Sequence, residues 1–245
     1  MSHNLKIKEG ALIISDAHFS LLRPELLALI EEIYFKRVKT TQLILMGDIF
    51  DSLFGSIKYT YKNNQKIIDM LNEIALNVEV IYLEGNHDFN LKKVFRNMKI
   101  FTIYQQPVLC SYEDKKIYLA HGDFDGAFGY KVYTYLIRLP LILFFLRIID
   151  NLSKHSILNF VDNHLGKKDD CNEFTGFKDF IKRRIEEKYS CDYFIEGHYH
   201  QNKQIGFKKF IYINLGAFAC NQRYFTVEFS KSKELLKENI FSKEI

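Results

Sequence analysis

The sequence predicts an α/β fold with mixed sheets and a helical insertion. In the first half of the chain, short apolar runs alternate with segments whose apolar residues recur every three or four positions. This is the pattern of buried strands joined by amphipathic helices. The second half has further strand-like runs without helices between them, so we expect mixed sheets. A long helical stretch between Asp123 and Cys191 contains no convincing strand, and we predict that it is an insertion of three helices, at roughly 130–150, 153–165 and 173–189.

The individual elements follow from apolar runs and from residues that begin helices. Leu12 to Ser15 is an apolar run that ends in polar residues, as a buried strand does. Pro24 begins a helical pattern that reaches about Lys39, because proline suits the first turn of a helix. A second helix is predicted over 63–77, and 231–245 is expected to be a short amphipathic or frayed tail. Further strands are predicted at Gln42 to Met46, Val78 to Leu83, Lys116 to Ala120, Asp192 to Ile195, Phe210 to Leu215 and Tyr224 to Phe229.

Composition limits the class of protein. The 245 residues suit one large domain or a domain with a sizeable insertion. An apolar fraction of 47% with 26% charged residues is typical of a globular chain rather than a disordered one. The first ten residues lack the apolar core of a secretion signal, so we expect a cytosolic N-terminus. Reduced thiols packed in the core are therefore expected for the cysteines, which form no CxxC pair: Cys110, Cys171, Cys191 and Cys220.

Residues that commonly bind metal ions follow five of the predicted strands directly. Loops at the carboxyl ends of strands in an α/β sheet converge on one crevice, so these residues should meet in space. A single His or Asp in a loop is more often a cap or a turn residue, and the prediction therefore depends on the whole set. The five clusters are Asp16-Ala17-His18, Gly47-Asp48-Ile49-Phe50-Asp51, Gly85-Asn86-His87-Asp88, His121-Gly122-Asp123 and Gly197-His198-Tyr199-His200.

The mixture of imidazole and carboxylate side chains predicts a two-metal site. Such sets suit borderline divalent cations, for which Mn²⁺, Fe²⁺ and Zn²⁺ are the candidates. A carboxylate such as Asp48 can bridge two ions, which lower the pKa of a shared water and clamp the oxygens of a phosphate ester. His87 is a candidate to donate a proton to a leaving oxygen, and Asp88 to hold that imidazole in one tautomer.

The order D-x-H, G-D-x-x-D, G-N-H-D, H-G-D and G-H-x-H resembles the calcineurin-like metallophosphoesterase superfamily over residues 12–229. The resemblance implies a four-layer αββα sandwich, with a core at 1–123 and 191–245 and a helical lid insertion at 124–190. It also implies two divalent ions, with Mn²⁺ as the first choice, bridged by Asp48. The remaining ligands would be Asp16, His18 and His200 for one ion and Asn86, His121 and His198 for the other.

Within this superfamily, the chain is most similar to the pyrophosphatases that cleave UDP-2,3-diacylglucosamine in lipid A biosynthesis. The motif spacing, the helical insertion with Tyr135 to Leu141, and the run Tyr212 to Gly216 carry the similarity. It implies a lid that holds the acyl chains, and release of UMP and 2,3-diacylglucosamine 1-phosphate. It further implies a cytoplasmic enzyme at the inner face of the cytoplasmic membrane. The chain departs at His87, where the best-known branch has Arg, so a metal-dependent phosphoesterase with another nucleotide, phosphodiester or phosphoprotein substrate stays an alternative.

The charge and apolarity of the insertion favour a lipid ligand. Residues 124–168 carry six Lys or Arg and three Asp, a net charge of +3 within the chain's +4. A strongly apolar helical segment with basic residues at its flanks suits an anionic amphiphile. A nuclease would instead be expected to carry a basic track with interleaved aromatic residues, so no nucleic-acid partner is expected. For the insertion, the alternatives are a helical hairpin that packs on itself and a dimer interface. For the whole protein, a noncatalytic scaffold is a further alternative. The candidates for contacts with the headgroup are Arg138, Arg147, Lys154, His155 and His164.

Overall fold

Two six-stranded sheets form the centre of the part of the chain that the structure describes. The structure is a computed structural model, and it describes residues 5–165, 171–229 and 234–242. The strands, in chain order, are β1 (Leu5–Lys6), β2 (Leu12–Ile14), β3 (Gln42–Leu45), β4 (Leu53–Phe54), β5 (Glu79–Leu83), β6 (Asp88–Phe89), β7 (Lys99–Phe101), β8 (Val108–Tyr112), β9 (Lys115–Ala120), β10 (Tyr193–Glu196), β11 (Lys203–Gly206), β12 (Ile211–Asn214), β13 (Arg223–Val227) and β14 (Leu236–Ile240).

Both sheets are mixed, as the sequence predicts. The first has the order β14-β13-β2-β3-β5-β7, in which β2, β3, β5 and β7 are parallel and β13 pairs in the antiparallel sense with both β2 and β14. The second has the order β1-β8-β9-β10-β12-β11, in which β9, β10 and β12 are parallel. A separate pair, β4 and β6, carries the loops that follow β3 and β5.

The helices of the described residues cover the sheets and the crevice at their edge. They are α1 (Glu25–Tyr34), α2 (Tyr59–Lys62), α3 (Gln65–Ile74), α4 (Phe128–Arg138), α5 (Pro140–Leu152), α6 (Ser156–Leu165), α7 (Phe177–Ile185) and α8 (Phe218–Asn221), with short 3-10 turns at Leu91–Lys93 and Ile103–Gln105.

Alternating side chains along the strands build a four-layer αββα sandwich. In β2, Leu12 and Ile14 point towards α1 and α3, whereas Ile13 points into the core between the two sheets. The second sheet turns its other face to α7, where Phe194 and Tyr212 pack against Ile181. The layers are therefore α1 and α3, the first sheet, the second sheet, and α7. The fold class predicted from the sequence is confirmed.

The insertion differs in detail from the three helices predicted at 130–150, 153–165 and 173–189. The first predicted helix is two helices, α4 and α5, bent by 69°. Pro140 causes the break, because it begins α5 while Leu139 before it is extended (ψ 129°). Helix α7 lies within 124–190 but packs against the second sheet, so α4, α5 and α6 alone form the cover over the crevice. The division of the chain at 124 and 190 stays a prediction.

Two other expectations were wrong. Cys171 and Cys220 form a disulfide, so these cysteines are not the reduced thiols that we expected, whereas Cys110 and Cys191 are free. The sequence does not reveal this pair, because the two cysteines are 49 residues apart and become neighbours only in the folded chain. Within the predicted frayed tail, residues 236–240 form strand β14 because they pair with β13. The tail residues 231–233 and 243–245 lie outside the described residues, as do 166–170.

A buried ion pair joins α7 to the end of β10, next to one of the predicted metal-binding loops. Arg184 donates to both carboxylate oxygens of Glu196 and, through Nε at 2.7 Å, to Asp125. Tyr212 donates its hydroxyl to Glu196 at 2.9 Å. Burial raises the pKa of Glu196 despite the guanidinium beside it. Arg184 thus holds the carboxylate of Glu196, and with it the segment that leads into Gly197-His198, in place.

Replacing Arg184 by Met should destabilise the protein, because it leaves the buried carboxylate of Glu196 without its partner. We expect a loss of about 3 kcal/mol or more in the free energy of unfolding, measured by urea denaturation. Arg183→Met is the matched control, since Arg183 is the exposed neighbour on the same helix. Equal denaturation midpoints for the two variants would contradict this assignment.

Candidate metal centre

The five predicted clusters meet at the carboxyl edge of the two sheets. Each follows a different strand, namely β2, β3, β5, β9 and β10. Three groups of side chains bring their nitrogen and oxygen atoms within 4.8 Å of one another. The groups are Asp16, His18 and His200; Asp48, His121 and His198; and His18, Asp51 and His87.

The first group forms around the carboxylate of Asp16. His200 Nε2 lies 3.0 Å from Asp16 Oδ1, and the ring of His18 lies 5.6 Å from that of His200. The backbone N–H of His198 donates to Asp16 at 3.0 Å, and the Ser15 hydroxyl donates to the same carboxylate. Asp16 is fully buried, so its orientation is fixed from several sides.

The second group forms around the carboxylate of Asp48. His121 Nε2 lies 3.3 Å from Asp48 Oδ2, and the ring of His198 lies 5.0 Å from that of His121. His121 Nδ1 is 2.9 Å from the carbonyl oxygen of Met46, which leaves Nε2 directed at the centre. Asn86 Oδ1 is 3.4 Å from the same Nε2 and joins the group.

Asp51 completes a third group, for which the sequence analysis assigned no role. Its Oδ1 lies 3.2 Å from His18 Nδ1. Neither carboxylate oxygen of Asp51 and neither ring nitrogen of His18 has a well-directed hydrogen bond to another described residue, although all four atoms are buried. The second Asp of G-D-x-x-D was the available signal for this residue.

Most of the predicted ligands lie on strained backbone. Asp16, His18, Asp48, His198 and His200 have φ between 47° and 62°, in the left-handed region that non-glycine residues seldom adopt. Such residues persist only where the surrounding structure fixes them, and they concentrate at functional sites. The strained backbone therefore indicates that the edge of the sheets is a functional site, and that these residues are not ordinary turn residues.

Two glycines permit the close approach of the clusters. Gly47 has φ 89°, and a Cβ atom there would lie 2.6 Å from Nδ1 of His121. A Cβ atom on Gly85 would overlap the carboxylate of Asp48. Both loops can carry ligands into one centre only because these positions lack side chains.

Asp16, Asp48 and His198 hold the protonation states that metal ligation needs, whereas at His121 burial is outweighed by the carboxylate of Asp48, which raises the pKa of the imidazole well above its usual value. Burial raises the pKa of Asp16, but His200 outweighs it and lowers that pKa to about 2. Burial likewise opposes ionisation of Asp48, yet His121 and His87 hold its pKa well below the usual range. Burial and the neighbouring His121 lower the pKa of His198 to about 4. The carboxylates are therefore ionised and His198 is neutral near pH 7.

These residues fit a pair of divalent cations. Carboxylate oxygens and imidazole nitrogens are the donors that Mn²⁺, Fe²⁺ and Zn²⁺ accept, and they lie in two adjacent groups. The buried atoms of His18 and Asp51 that have no hydrogen-bond partner among the described residues are ones that a cation would satisfy. The clustered residues thus form a candidate dinuclear site for divalent ions.

His87 faces the centre, but Asp88 does not hold it there. His87 Nδ1 lies 2.9 Å from the carbonyl oxygen of Asp51, and Nε2 lies 3.9 Å from Asp48 Oδ2. Asp88 is fully buried and accepts hydrogen bonds from Tyr82 at 2.6 Å and from the backbone. The backbone donors are Asp48 N, Ile49 N, Phe50 N and Gly85 N.

The expected contact between Asp88 and the imidazole was therefore wrong. The carboxylate of Asp88 instead ties the loop of Asp48 to that of Gly85, and burial and the neighbouring Asp48 raise the pKa of Asp88 to about 7. The carbonyl oxygen of Asp51 orients His87.

The candidates for headgroup contacts are dispersed over the insertion. Arg138 is buried, donates to Gly85 O at 2.8 Å and lies 4.5 Å above the ring of Phe89, so it fastens α4 to the loop of Asn86. His155 stacks on Tyr59 at 3.7 Å and lies 2.7 Å from Asp150. Arg147 lies over Phe144, and Lys154 and His164 are exposed. Of these, Arg138 lies nearest to the loops of the metal centre.

An apolar cavity of about 450 Å³ opens beside the metal centre. Asn86 and His87 line one end of it. The cover and the core build its walls together, because Leu143 and Leu158 of the cover pack with Ile57 and Phe89. We call this space, lined also by Phe54, Ile137, Leu146, Val161 and Leu165, the apolar cavity.

Comparison with known proteins decides the family. The family model for the calcineurin-like phosphoesterases matches residues 11–202. The chain belongs to this family. It is accordingly a metal-dependent phosphoesterase, and the five clusters that meet at the sheet edge lie within the matched residues.

Individual relatives of this phosphoesterase are distant. It is 22% identical to the UDP-2,3-diacylglucosamine hydrolase of Pseudomonas fluorescens (strain SBW25) over 196 residues, which is 78% of each chain. It is 29% identical to the hydrolase of the same name from Coxiella burnetii (strain RSA 331 / Henzerling II) over 115 residues, and so spans about half of that relative (46%). A solved archaeal phosphodiesterase aligns with 94% of this chain and 99% of its own, at 16% identity and a TM-score of 0.48.

Among the described residues of this phosphoesterase, no single helix is long and apolar enough to cross a membrane. Helices α4 and α5 taken together reach that length and composition, but with the 69° bend between them.

Adding one methyl group to Gly47 should remove bound metal without removing a ligand. Gly47→Ala forces a Cβ against the ring of His121 and strains the backbone at φ 89°, so we expect the dialysed variant to hold less than half the metal of the unaltered protein. Metal content measured by plasma mass spectrometry checks this. Gly129→Ala is the control, since a Cβ at Gly129 meets nothing within 4 Å. A Gly47→Ala protein with its full metal content would refute the close packing described above.

Proposed function

We propose that this phosphoesterase is a dinuclear-metal pyrophosphatase that cleaves UDP-2,3-diacylglucosamine to UMP and 2,3-diacylglucosamine 1-phosphate. The observation that carries the proposal is the apolar cavity, which opens directly onto Asn86 and His87. A phosphoesterase for small polar substrates has no need of such a space, whereas a diacylated substrate does. The names of the distant relatives agree with this substrate.

The metal ligands are assigned as follows. Asp48 would be the ligand that both ions share. When bound, the two cations activate water near neutral pH and neutralise the charge on the phosphate oxygens. One ion would be held by Asp16, His18 and His200 and the other by Asn86, His121 and His198, with Asp48 as a ligand to each. We infer Mn²⁺, with Fe²⁺ and Zn²⁺ as alternatives that the same donors accept.

His87 supplies the proton for the leaving oxygen. Its Nδ1–H is donated to the carbonyl oxygen of Asp51, which sets the tautomer and turns Nε2 towards Asp48. As the imidazolium, His87 also carries a proton at Nε2, on the side that faces the metal centre, and it becomes neutral when it gives that proton to the leaving oxygen. A positioned imidazole of this kind contributes about 10²–10⁴ to a rate.

The apolar cavity holds acyl chains of the substrate. Burial of each methylene group there stabilises the complex by about 0.8 kcal/mol. Arg138 stabilises the mouth of the cavity, because it fastens α4 to Gly85. The packing of Leu143 and Leu158 against the core supports a lid over the site more than it supports a hairpin that packs only on itself.

The outer surface of the cover suits a membrane surface that carries such a substrate. Large apolar side chains are exposed there, including Phe128 (83%), Leu152 (82%) and Phe160 (72%). A surface with many large exposed apolar side chains is typical of a site of interaction. Peripheral association with the inner face of the cytoplasmic membrane would cover them, with the lipid-linked UDP-sugar as the ligand delivered there.

The residue at position 87 favours a second candidate function. A His in this position is usual among general phosphoesterases of the family, and it faces the centre in the manner described. Another nucleotide or phosphodiester would then be the substrate, and the apolar cavity would have a different occupant. Hydrolysis of a generic aryl phosphodiester is expected under both functions and does not separate them.

The direct test is release of UMP from UDP-2,3-diacylglucosamine in mixed micelles with Mn²⁺. We expect Leu146→Glu to lower kcat/KM for this substrate at least tenfold, because it puts a charge into the apolar cavity. Hydrolysis of bis(4-nitrophenyl) phosphate should stay unchanged. Leu141→Glu, on the same helix but outside the cavity, is the control. No UMP from the unaltered enzyme would refute the proposed function.

A further inference from the structure

A second cavity lies beside the metal centre and has no part in the function described so far. Its volume is about 330 Å³, and Asp51 and Ser52 line it at the centre. We call it the polar cavity. The residues that line its far walls include Ser20, Tyr59, Asn63, Asn64, Asn159 and Asn163.

Helix α6 separates the polar cavity from the apolar one. Leu158, Val161 and Leu165 line the apolar cavity, at the spacing of one helical face. Asn159 and Asn163 are four residues apart, so they share a neighbouring face of the helix, and they line the polar cavity. The cover thus presents fatty side chains to one space and carboxamides to the other.

Both cavities reach the metal centre through neighbouring atoms. Asp51, in the polar cavity, accepts a hydrogen bond from His87 Nδ1 at 2.9 Å, and His87 lines the apolar cavity. Asp51 also lies 3.2 Å from His18. A substrate cleaved at this centre can therefore extend into both cavities.

The lining of the polar cavity suits a neutral group that both donates and accepts hydrogen bonds. Among the described residues that line it, Asp51 carries the only charge, and that carboxylate faces His18. Asn64 donates its amide to Thr60 O at 2.9 Å, which leaves Oδ1 as an acceptor. Tyr59 donates to Asn159 Oδ1 at 3.2 Å, which leaves the amide N–H groups of Asn159 as donors.

Two further features describe the occupant. The hydroxyl of Ser20 is buried and has no hydrogen-bond partner among the described residues. Phe19, Leu21 and Leu22 add apolar surface at the same cavity, against which a flat ring can lie. A volume of about 330 Å³ is at the lower end for a small-molecule site, enough for one nucleoside.

We infer that the polar cavity binds the uridine half of the substrate and selects the pyrimidine nucleotide. The inference rests on the proposed function, which supplies a substrate with a uridine on one side of the pyrophosphate and acyl chains on the other. A phosphate group is a poor occupant because no basic residue lines the cavity among the described residues. Acyl chains would leave its carboxamides without partners.

The test measures UMP affinity by calorimetry with the manganese-loaded protein. The variant Asn63→Ala/Asn163→Ala removes two exposed carboxamides of the lining, so the fold should be retained. Two lost hydrogen bonds predict about tenfold weaker binding of UMP. The affinity for inorganic phosphate should be unchanged. Asn151→Ala is the control, because this exposed residue of α5 lies outside the cavity.

The possible results separate this inference from the proposed function, since UMP binding needs no lipid. Weaker binding of UMP with unchanged binding of phosphate supports the inference, even if UDP-2,3-diacylglucosamine is not hydrolysed. Equal losses for UMP and phosphate overturn it, because the change then acts on the metal centre. Unchanged UMP affinity also overturns it, and the single variant Asn63→Ala repeats the measurement if the double variant does not fold.

Discussion

The closeness of two buried carboxylates, Asp16 and Asp48, determines the arrangement of this molecule. Both are removed from solvent, with 0% and 2% of their surface exposed. Burying an ionised carboxylate is costly unless opposite charge or hydrogen-bond donors surround it. The imidazoles at the sheet edge and the backbone N–H groups of neighbouring loops partly satisfy this need, and divalent cations would complete it.

Other buried side chains hold the loops of the metal centre in place. Asp88 ties two of the loops to each other from below, and Arg184 fixes the segment before His198 through Glu196. Arg138 fastens the cover to the loop of Asn86, so that the cover and the metal centre are mechanically connected. The cover and the core thereby form the walls of two cavities beside the metal centre.

Much of the site could be predicted from the sequence because parallel strands deliver their following residues to one edge. Asp16, Asp48, Asn86, His121 and His198 all follow strands that the apolar runs predict. Asp88 was misassigned because its partners are backbone groups of a distant loop, which no local pattern reveals. The same holds for the disulfide between Cys171 and Cys220. The break at Pro140 did have a local signal, since proline restricts the residue before it.

The pairing of strands accounts for most of the remaining differences. Strands β8, β11 and β14 are half-exposed or at an edge, so they lack the continuous apolar runs of β3 and β5. Helix α7 carries more charge than a typical core helix, yet Ile181 and Ile185 place it on the second sheet. Local composition therefore indicated an insertion up to residue 190, whereas tertiary packing assigns α7 to the outer layer of the sandwich.

The most direct test of the dinuclear centre is anomalous diffraction from crystals grown with Mn²⁺. Two peaks are expected at the sheet edge, about 3.5–4 Å apart. One peak should lie against Asp16, His18 and His200, and the other against His121 and His198, with Asp48 between them. A single peak, or manganese bound elsewhere with this edge empty, would contradict the assignment of a dinuclear centre.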